Sequence, residues 1–278
     1  MARLHLYRYQ ILPVDRNFQG DLYGPQTLDD LLDQKNQIFR DALDSPKLFF
    51  SSRSETKAKL VYEDQSFSLY MVAANRSQKH ETKDFLTEQI ENWPKVLVAV
   101  WNEPDKQLVA VQHRASAFQD TDAVMKLIFD PIAPLLAERQ LVAMWEPLFE
   151  RSAFWDLARR YEGKIQEVDF ELITPNMANI SKVLPENLRD FAKLTNAVKS
   201  HVTLACDPSS ALKIAEQNEM LSSLVDYASQ GGGDISIRLH GFKKKLHTAR
   251  SIREIEVDEV SVQGNPQQVA EALKGLLA

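Results

Sequence analysis

The sequence predicts a mixed α+β (mixed α/β) protein, built of mixed sheets with β-hairpins and packing helices. Three observations carry this. Apolar residues recur with a period near two in some segments and near 3.6 in others, and the two kinds intermingle along the whole chain. Val96–Trp101 and Leu108–Val111 are apolar, β-branched runs joined by Asn102-Glu103-Pro104-Asp105, which is a hairpin signature. No repeat of about 20–50 residues recurs, which argues against a solenoid.

In order, Leu4, Leu6, Tyr9 and Ile11 alternate with His5, Arg8 and Gln10 in a half-buried opening strand that ends at Pro13. Thr27 is an N-cap, with Asp29 and Asp30 suited to a first helical turn, and the helix runs over 27–44 to Pro46. Residues 57–75 form two strands around Glu63-Asp64, and 83–91 a short helix. After the 96–111 hairpin, a helix over 119–137 is kinked or split by Pro131 and Pro134, and Leu141–Trp145 is a short strand. Phe154, Trp155, Ala158 and Tyr161 share a helix face that Gly163 ends, and Ile165–Ile173 is a strand. The last third continues with a helix over 184–199, a strand over 201–206, a helix from Pro208-Ser209 to 229 stopped by Gly231-Gly232-Gly233, strands at 235–239 and 252–262, and a helix from Pro266 to 277.

The expected division is an N-terminal α+β domain over 1–117 and a C-terminal α/β domain over 118–278. Alternatives are a cut at 174–183, where Pro175-Asn176-Met177-Ala178-Asn179 reads as a linker, or a single domain. Arg3, His5, Arg8 and Gln10 interrupt the opening apolar run, and no apolar stretch nears the roughly 18 residues of a membrane span. With one cysteine, Cys206, the expected location is cytoplasmic, with no membrane partner.

Catalytic signatures fail one after another. The glycine triplet has a helix before it and a strand after it, the reverse of a phosphate loop. Cys206 lacks the arginine that a cysteine-phosphatase loop would place at 212, which is Leu212, and Ser209 and Ser210 lack a nucleophile elbow. His5, His80, His113, His201, His240 and His247 form no helical metal pair, which leaves only a site assembled from distant positions. Glu55-Thr56-Lys57 and Glu81-Thr82-Lys83 match a nuclease tripeptide but lie in polar surroundings, and Trp145, Phe149, Phe154, Trp155 and Tyr161 point inward. The sequence therefore predicts no catalytic residue, no metal ligand and no cofactor.

One signal survives. Of 33 basic and 39 acidic residues, giving a net charge of −6, Arg238, Lys243, Lys244, Lys245, Arg250 and Arg253 fall in one acid-free stretch, 238–253. That stretch carries +6 and leaves −12 on the remainder. Such a segment suits phosphate contacts, and His240, His247 and Phe242 lie within it. The expected site is Arg238, His240, Lys243, Lys244, Lys245, His247, Arg250 and Arg253. Its expected partner is DNA or RNA, contacted through the backbone largely without regard to sequence. Two readings stand beside this one: a metal-dependent nuclease or toxin-type effector using Glu63, Asp64, Asp169 and Glu171 around Mg²⁺, and a protein–protein adaptor. For the adaptor, the acidic helix with Asp29, Asp30, Asp33, Asp41 and Asp44 could meet a second subunit.

The opening LHLYRYQILP with GDLYG, and the hairpin VLVAVWNEPDKQLVAVQHR, resemble uncharacterised bacterial proteins associated with phage defence. The layout is similar to that of the DNA-binding B subunit of the Kiwa system. The resemblance implies a nucleic-acid-binding accessory protein, a homodimer, acting against foreign DNA, and it transfers no catalytic residue.

Overall fold

The computed structural model describes residues 2–18, 20, 24–45, 48–51, 54–81, 83–175, 177–257 and 264–276. The protein is mixed α+β, as the interleaved periodicities predict. Its larger sheet runs β13 (Glu254–Val257), β1 (Ala2–Pro13), β7 (Lys106–Gln112), β6 (Lys95–Glu103), β3 (Phe67–Ala74) and β2 (Thr56–Glu63), with β8 (Leu141–Pro147) also on β1. β1 is long enough to hold two neighbours in succession along one edge. β13 pairs with Ala2–His5 and β8 with Tyr7–Pro13, while β7 pairs with Leu4–Arg8 on the opposite edge.

Both faces of this sheet are covered, which is why β3, β6 and β7 read as nearly unbroken apolar runs and why β1, expected to be half-buried, is buried from Leu6 to Pro13, Arg8 and Gln10 included. On one face Tyr7, Tyr9, Ile11, Val98, Val100 and Val109 pack with Leu31 and Phe39 of α1 (Leu28–Leu43) and Ile128 and Ile132 of α2 (Thr121–Glu138). Thr27 and Asp30 form a reciprocal capping box at the start of α1. Asp120 caps α2, accepting from the Ala123 amide at 2.8 Å, and α2 continues through Pro131 and Pro134 without splitting. On the other face Leu4, Leu6, Phe67 and Trp101 pack with Val269, Ala270 and Leu273 of the closing helix, here α7 (Pro266–Leu276).

The smaller sheet is antiparallel in the order β10 (Lys199–Ala205), β9 (Ile165–Ile173), β11 (Gly233–Leu239) and β12 (Leu246–His247). One face packs against α3 (Arg151–Arg160), the short α4 (Ala178–Ser181), α5 (Glu186–Leu194) and α6 (Glu219–Tyr227). Phe154, Trp155, Val168, Phe170, Leu224 and Ile235 form its core. This unit leaves the larger sheet after β8 and returns through the bridge Phe149–Ile252 into β13. Residues on both sides of the expected 117/118 boundary therefore share the first core, and the changes of core fall near 148 and 252. Met177 and Ile180, in and beside the expected 175–179 linker, are buried in the second core; Asn176 lies outside the described residues.

Other expectations need correction. Residues 83–91 are not a helix: β4 (Gln78–Glu81) and β5 (Thr87–Ile90) form an exposed two-stranded ribbon, so no packing enforced the helical reading. The helix expected over 184–199 is confined to α5. The one expected from 209 starts only at Asn218, whose side chain accepts from the Leu221 amide at 3.1 Å. The chain before it is instead held along β9, with the Leu212 amide donating to the Ile165 carbonyl at 2.8 Å. Gly231 stops the helical run as expected, with φ of 79°. Of the strand expected over 252–262, β13 is observed; 258–262, like 277 of the last helix, lie outside the described residues.

Candidate nucleic-acid interface

The open face of the smaller sheet is polar because β9 alternates strictly: Val168, Phe170 and Leu172 face the core, and Glu167, Asp169 and Glu171 face outward. Register sets Glu171 between His201 and Asp234, Asp169 between Thr203 and Ser236, and Glu167 between Ala205 and Arg238. β12 adds His247 beside Ser236.

This face takes up three of the eight expected site residues. Glu167 receives Lys245 at 2.7 Å and Arg238 at 3.6 Å. Asp234 receives His247 at 2.7 Å, together with the Thr248 hydroxyl at 3.2 Å and the Ala249 amide at 3.1 Å. Arg253 pairs with Glu150 at 3.1 Å, off the sheet face. An acid-free stretch of sequence is thus matched by acids from β9, β11 and the start of α3, so the expected charge of +6 is not presented as one patch.

Of the cations left without an ion pair among the described residues, Lys243 and Lys244 lie at one corner. Gly241, with φ of 78°, turns the chain after β11 and leaves Phe242, Lys243 and Lys244 exposed. His240 donates its amide to the Lys164 carbonyl at 2.8 Å, and its ring Nδ1 lies 3.0 Å from Gln166 Nε2. Phe242 stands edge-on to Tyr161 at 6.5 Å. These contacts set the turn at 240–242 beside the end of α3. Arg160 and Lys164, exposed like Lys243 and Lys244, flank the Tyr161–Glu162 stretch that these contacts tie to His240 and Phe242, and Lys213 is exposed beside Leu212. None of these five cations has an ion pair among the described residues, and neither does Arg250. Arg160 and Lys164 were missed because only the tertiary contacts of Tyr161 with Phe242 and of Lys164 with His240 bring them to the turn.

The acids suggested for Mg²⁺ are not brought together. Asp169 is held by Thr203 at 2.7 Å and His201 at 3.3 Å, and Glu171 by Lys199. Glu63 pairs with Arg40 at 3.0 Å on the larger sheet, where Asp64 holds Lys274. Among the described residues no group of three His, Cys, Asp or Glu side chains could hold a metal. Cys206 is half-buried, with its Sγ 3.3 Å from the Ser210 carbonyl.

A second polar cluster escaped the sequence reading. Thr121 Oγ1 lies 2.8 Å from His5 Nδ1 and 2.6 Å from the Tyr7 hydroxyl, and His5 Nε2 lies 3.1 Å from Glu254. Tyr7 also donates to Asp122 at 2.6 Å, and His113 stacks on His5 at 4.8 Å. Thr121 is 2% exposed, so this hydroxyl–imidazole–carboxylate chain bolts α2 to β1 and β13 and offers no nucleophile to solvent. Burial lowers the His5 pKa below 6.5, against the hydrogen bond that its ring donates to Glu254.

No family model, curated protein or solved structure matches the chain. Among the described residues no helix is long and apolar enough to cross a membrane.

Proposed function

We propose that the protein is a nucleic-acid-binding accessory protein that grips phosphate backbone at the corner formed by the α3–β9 and β11–β12 turns. The observation that carries this reading is Phe242, 56% exposed, braced edge-on by Tyr161 and followed by the unpaired Lys243 and Lys244. An exposed ring among free cations suits an unpaired base stacked on the aromatic while its phosphates meet the lysines. The resemblance to phage-defence proteins supports a role against foreign nucleic acid. Within 238–253 the contacts at this corner fall to Lys243, Lys244 and His240, while Arg250 follows Ala249, which bonds Asp234 at the other end of β11. Arg238, Lys245, His247 and Arg253 are engaged by carboxylates and serve mainly to hold the segment in place.

Fluorescence anisotropy with labelled single-stranded DNA, RNA and duplex DNA at two salt concentrations tests this. Binding is expected to weaken steeply between 50 and 200 mM salt, and Lys243→Glu with Lys244→Glu to weaken it about tenfold or more. Phe242→Ala should cost about 1–3 kcal/mol on single strands and little on duplex. Absence of binding, or binding indifferent to the double charge reversal, removes the assignment.

A further inference from the structure

The edges of the two sheets are protected unequally. β2, at one edge of the larger sheet, carries Lys57 and Lys59 and a register shift between Leu60 and Tyr62, features that discourage edge pairing. At one edge of the smaller sheet, β12 is only two residues long. β10, at the other, is a regular seven-residue strand in unbroken register with β9, without proline, and with its one lysine at the first position. Beside it lies an apolar cavity of about 80 Å³, walled by Leu184, Leu188 and Phe191 from α4–α5 and by Ser200 and Val202 of β10. Phe191 is 63% and Leu194 87% exposed.

The backbone pairing fixes what can add to this edge. The Thr174 amide donates to the Val198 carbonyl at 2.9 Å, and the Cys206 amide to the Gln166 carbonyl at 3.0 Å. In an antiparallel pair, hydrogen-bonded positions alternate. Even-numbered residues of β10 therefore bond to β9, and Lys199, His201, Thr203 and Ala205 turn their amides and carbonyls to the open side. An antiparallel copy of β10 centred on Val202 matches all four: His201 meets Thr203 of the second copy, and Lys199 meets Ala205, with no like charges opposed. Centring on His201 instead would set two imidazoles face to face.

The same register is complementary on the helix side. Ser200, Val202 and Leu204 share the face turned toward α5, and all three are half-buried. Centred pairing sets Val202 against its own mate and brings Leu204 of the second copy opposite Ser200, at the wall of the cavity. Two-fold symmetry does this twice, and it brings a second apolar surface to Phe191.

We infer that β10 is a homodimerisation edge, where a second copy of this chain adds antiparallel about Val202 and joins the two small sheets into one. Full-length protein should run as a dimer in light scattering after size exclusion. In a Cys206→Ser background, Val202→Cys should oxidise to a disulfide-linked dimer. The central pair is non-hydrogen-bonded, with Cα atoms about 4.5 Å apart, within disulfide reach. Thr203→Cys, which does not meet its own mate in this register, should stay uncrosslinked. Thr203→Pro removes an outward amide and Phe191→Lys charges an exposed ring; either should give a folded monomer by circular dichroism and light scattering. A monomeric wild type at tens of micromolar overturns the inference, including one that captures an extended peptide instead. So does a dimer that survives Phe191→Lys and fails to crosslink through Val202→Cys.

Discussion

In the larger sheet β6 reads Lys95-Val-Leu-Val-Ala-Val-Trp101, buried from Val96 to Trp101, with α1 and α2 above and α7 below. In the smaller sheet β9 alternates, and only one of its faces meets helices. The difference is one of purpose as well as packing. A sheet covered on both sides has no surface left to offer a ligand. A sheet covered on one side must satisfy its other face with polar pairs, and here those pairs consume cations that would otherwise bind anions. The candidate interface survives at the corner of the smaller sheet, where the turns outrun the acids of β9.

The seam between the regions is polar and buried. Arg8 is 9% exposed, and burial lowers its pKa to about 10; its guanidinium approaches Met177 Sδ at 4.0 Å. A Cβ on Gly231 would lie 2.4 Å from Arg8 Cβ, so glycine permits the close approach of the two units here. Tyr227 donates to the Ile173 carbonyl at 2.5 Å. Glu146 on β8 reaches Lys199 at 3.9 Å across the seam.

The strongest way to break the comparison is Phe170→Ala. Phe170 is fully buried at the centre of the one-sided core, and its loss should cost about 3–5 kcal/mol. Hydrogen exchange should then rise first in 148–252. If protection falls equally in β6 and β7, the two regions are one cooperative unit and the contrast drawn here has no thermodynamic counterpart.

A smaller effect tests the seam. Burial pushes the Glu146 carboxyl up from 4.5 to about 7, with Lys199 pulling the other way and Asp234, Glu171 and Asp122 adding to the rise. The folded protein thus holds a proton that the unfolded chain releases between these values. Stability on this account falls as pH rises from 4.5 to about 7 and is level above. Glu146→Gln should be more stable than wild type at pH 8, by at most about 3 kcal/mol, and equal to it near pH 4. His5, whose pKa is lowered, works oppositely: its contribution is whole above 6.5 and lost as pH falls through its folded value. Comparing the variant with wild type by denaturant titration cancels that background. An unchanged difference between pH 4 and pH 8 would mean that the seam does not bury this charge.

The smallest effect on stability sharpens the charge argument. Glu167→Gln removes an exposed-sheet partner of Arg238 and Lys245 and should change stability by less than about 1 kcal/mol. Yet it frees two cations, so affinity for polyanions should rise and the salt dependence steepen. Weaker or unchanged binding would detach the basic segment from the binding surface.

Much of the fold was legible because periodicity and end signals are local. Thr27 with Asp30, the Pro104-Asp105 turn and the stop at Gly231 each act within a few residues, and each lies where the sequence indicated. Elements without such support were misread. The ribbon strands Gln78–Glu81 and Thr87–Ile90 are exposed throughout, so no buried stripe distinguished strand from helix. Residues 209–217 contain helix formers, but backbone bonds from 206 and 212 to β9 outweigh that weak preference.

By itself the sequence determined the α+β class, the turns and caps, and the concentration of positive charge in 238–253, because these depend on neighbours along the chain. Tertiary structure alone decided which of those charges remain available. Glu167, Asp234 and Glu150 stand far from the lysines and arginines in sequence or sit on other elements, and charge acts through space at a few ångströms. Strand register carried them to their partners, and the same register left Lys243 and Lys244 free.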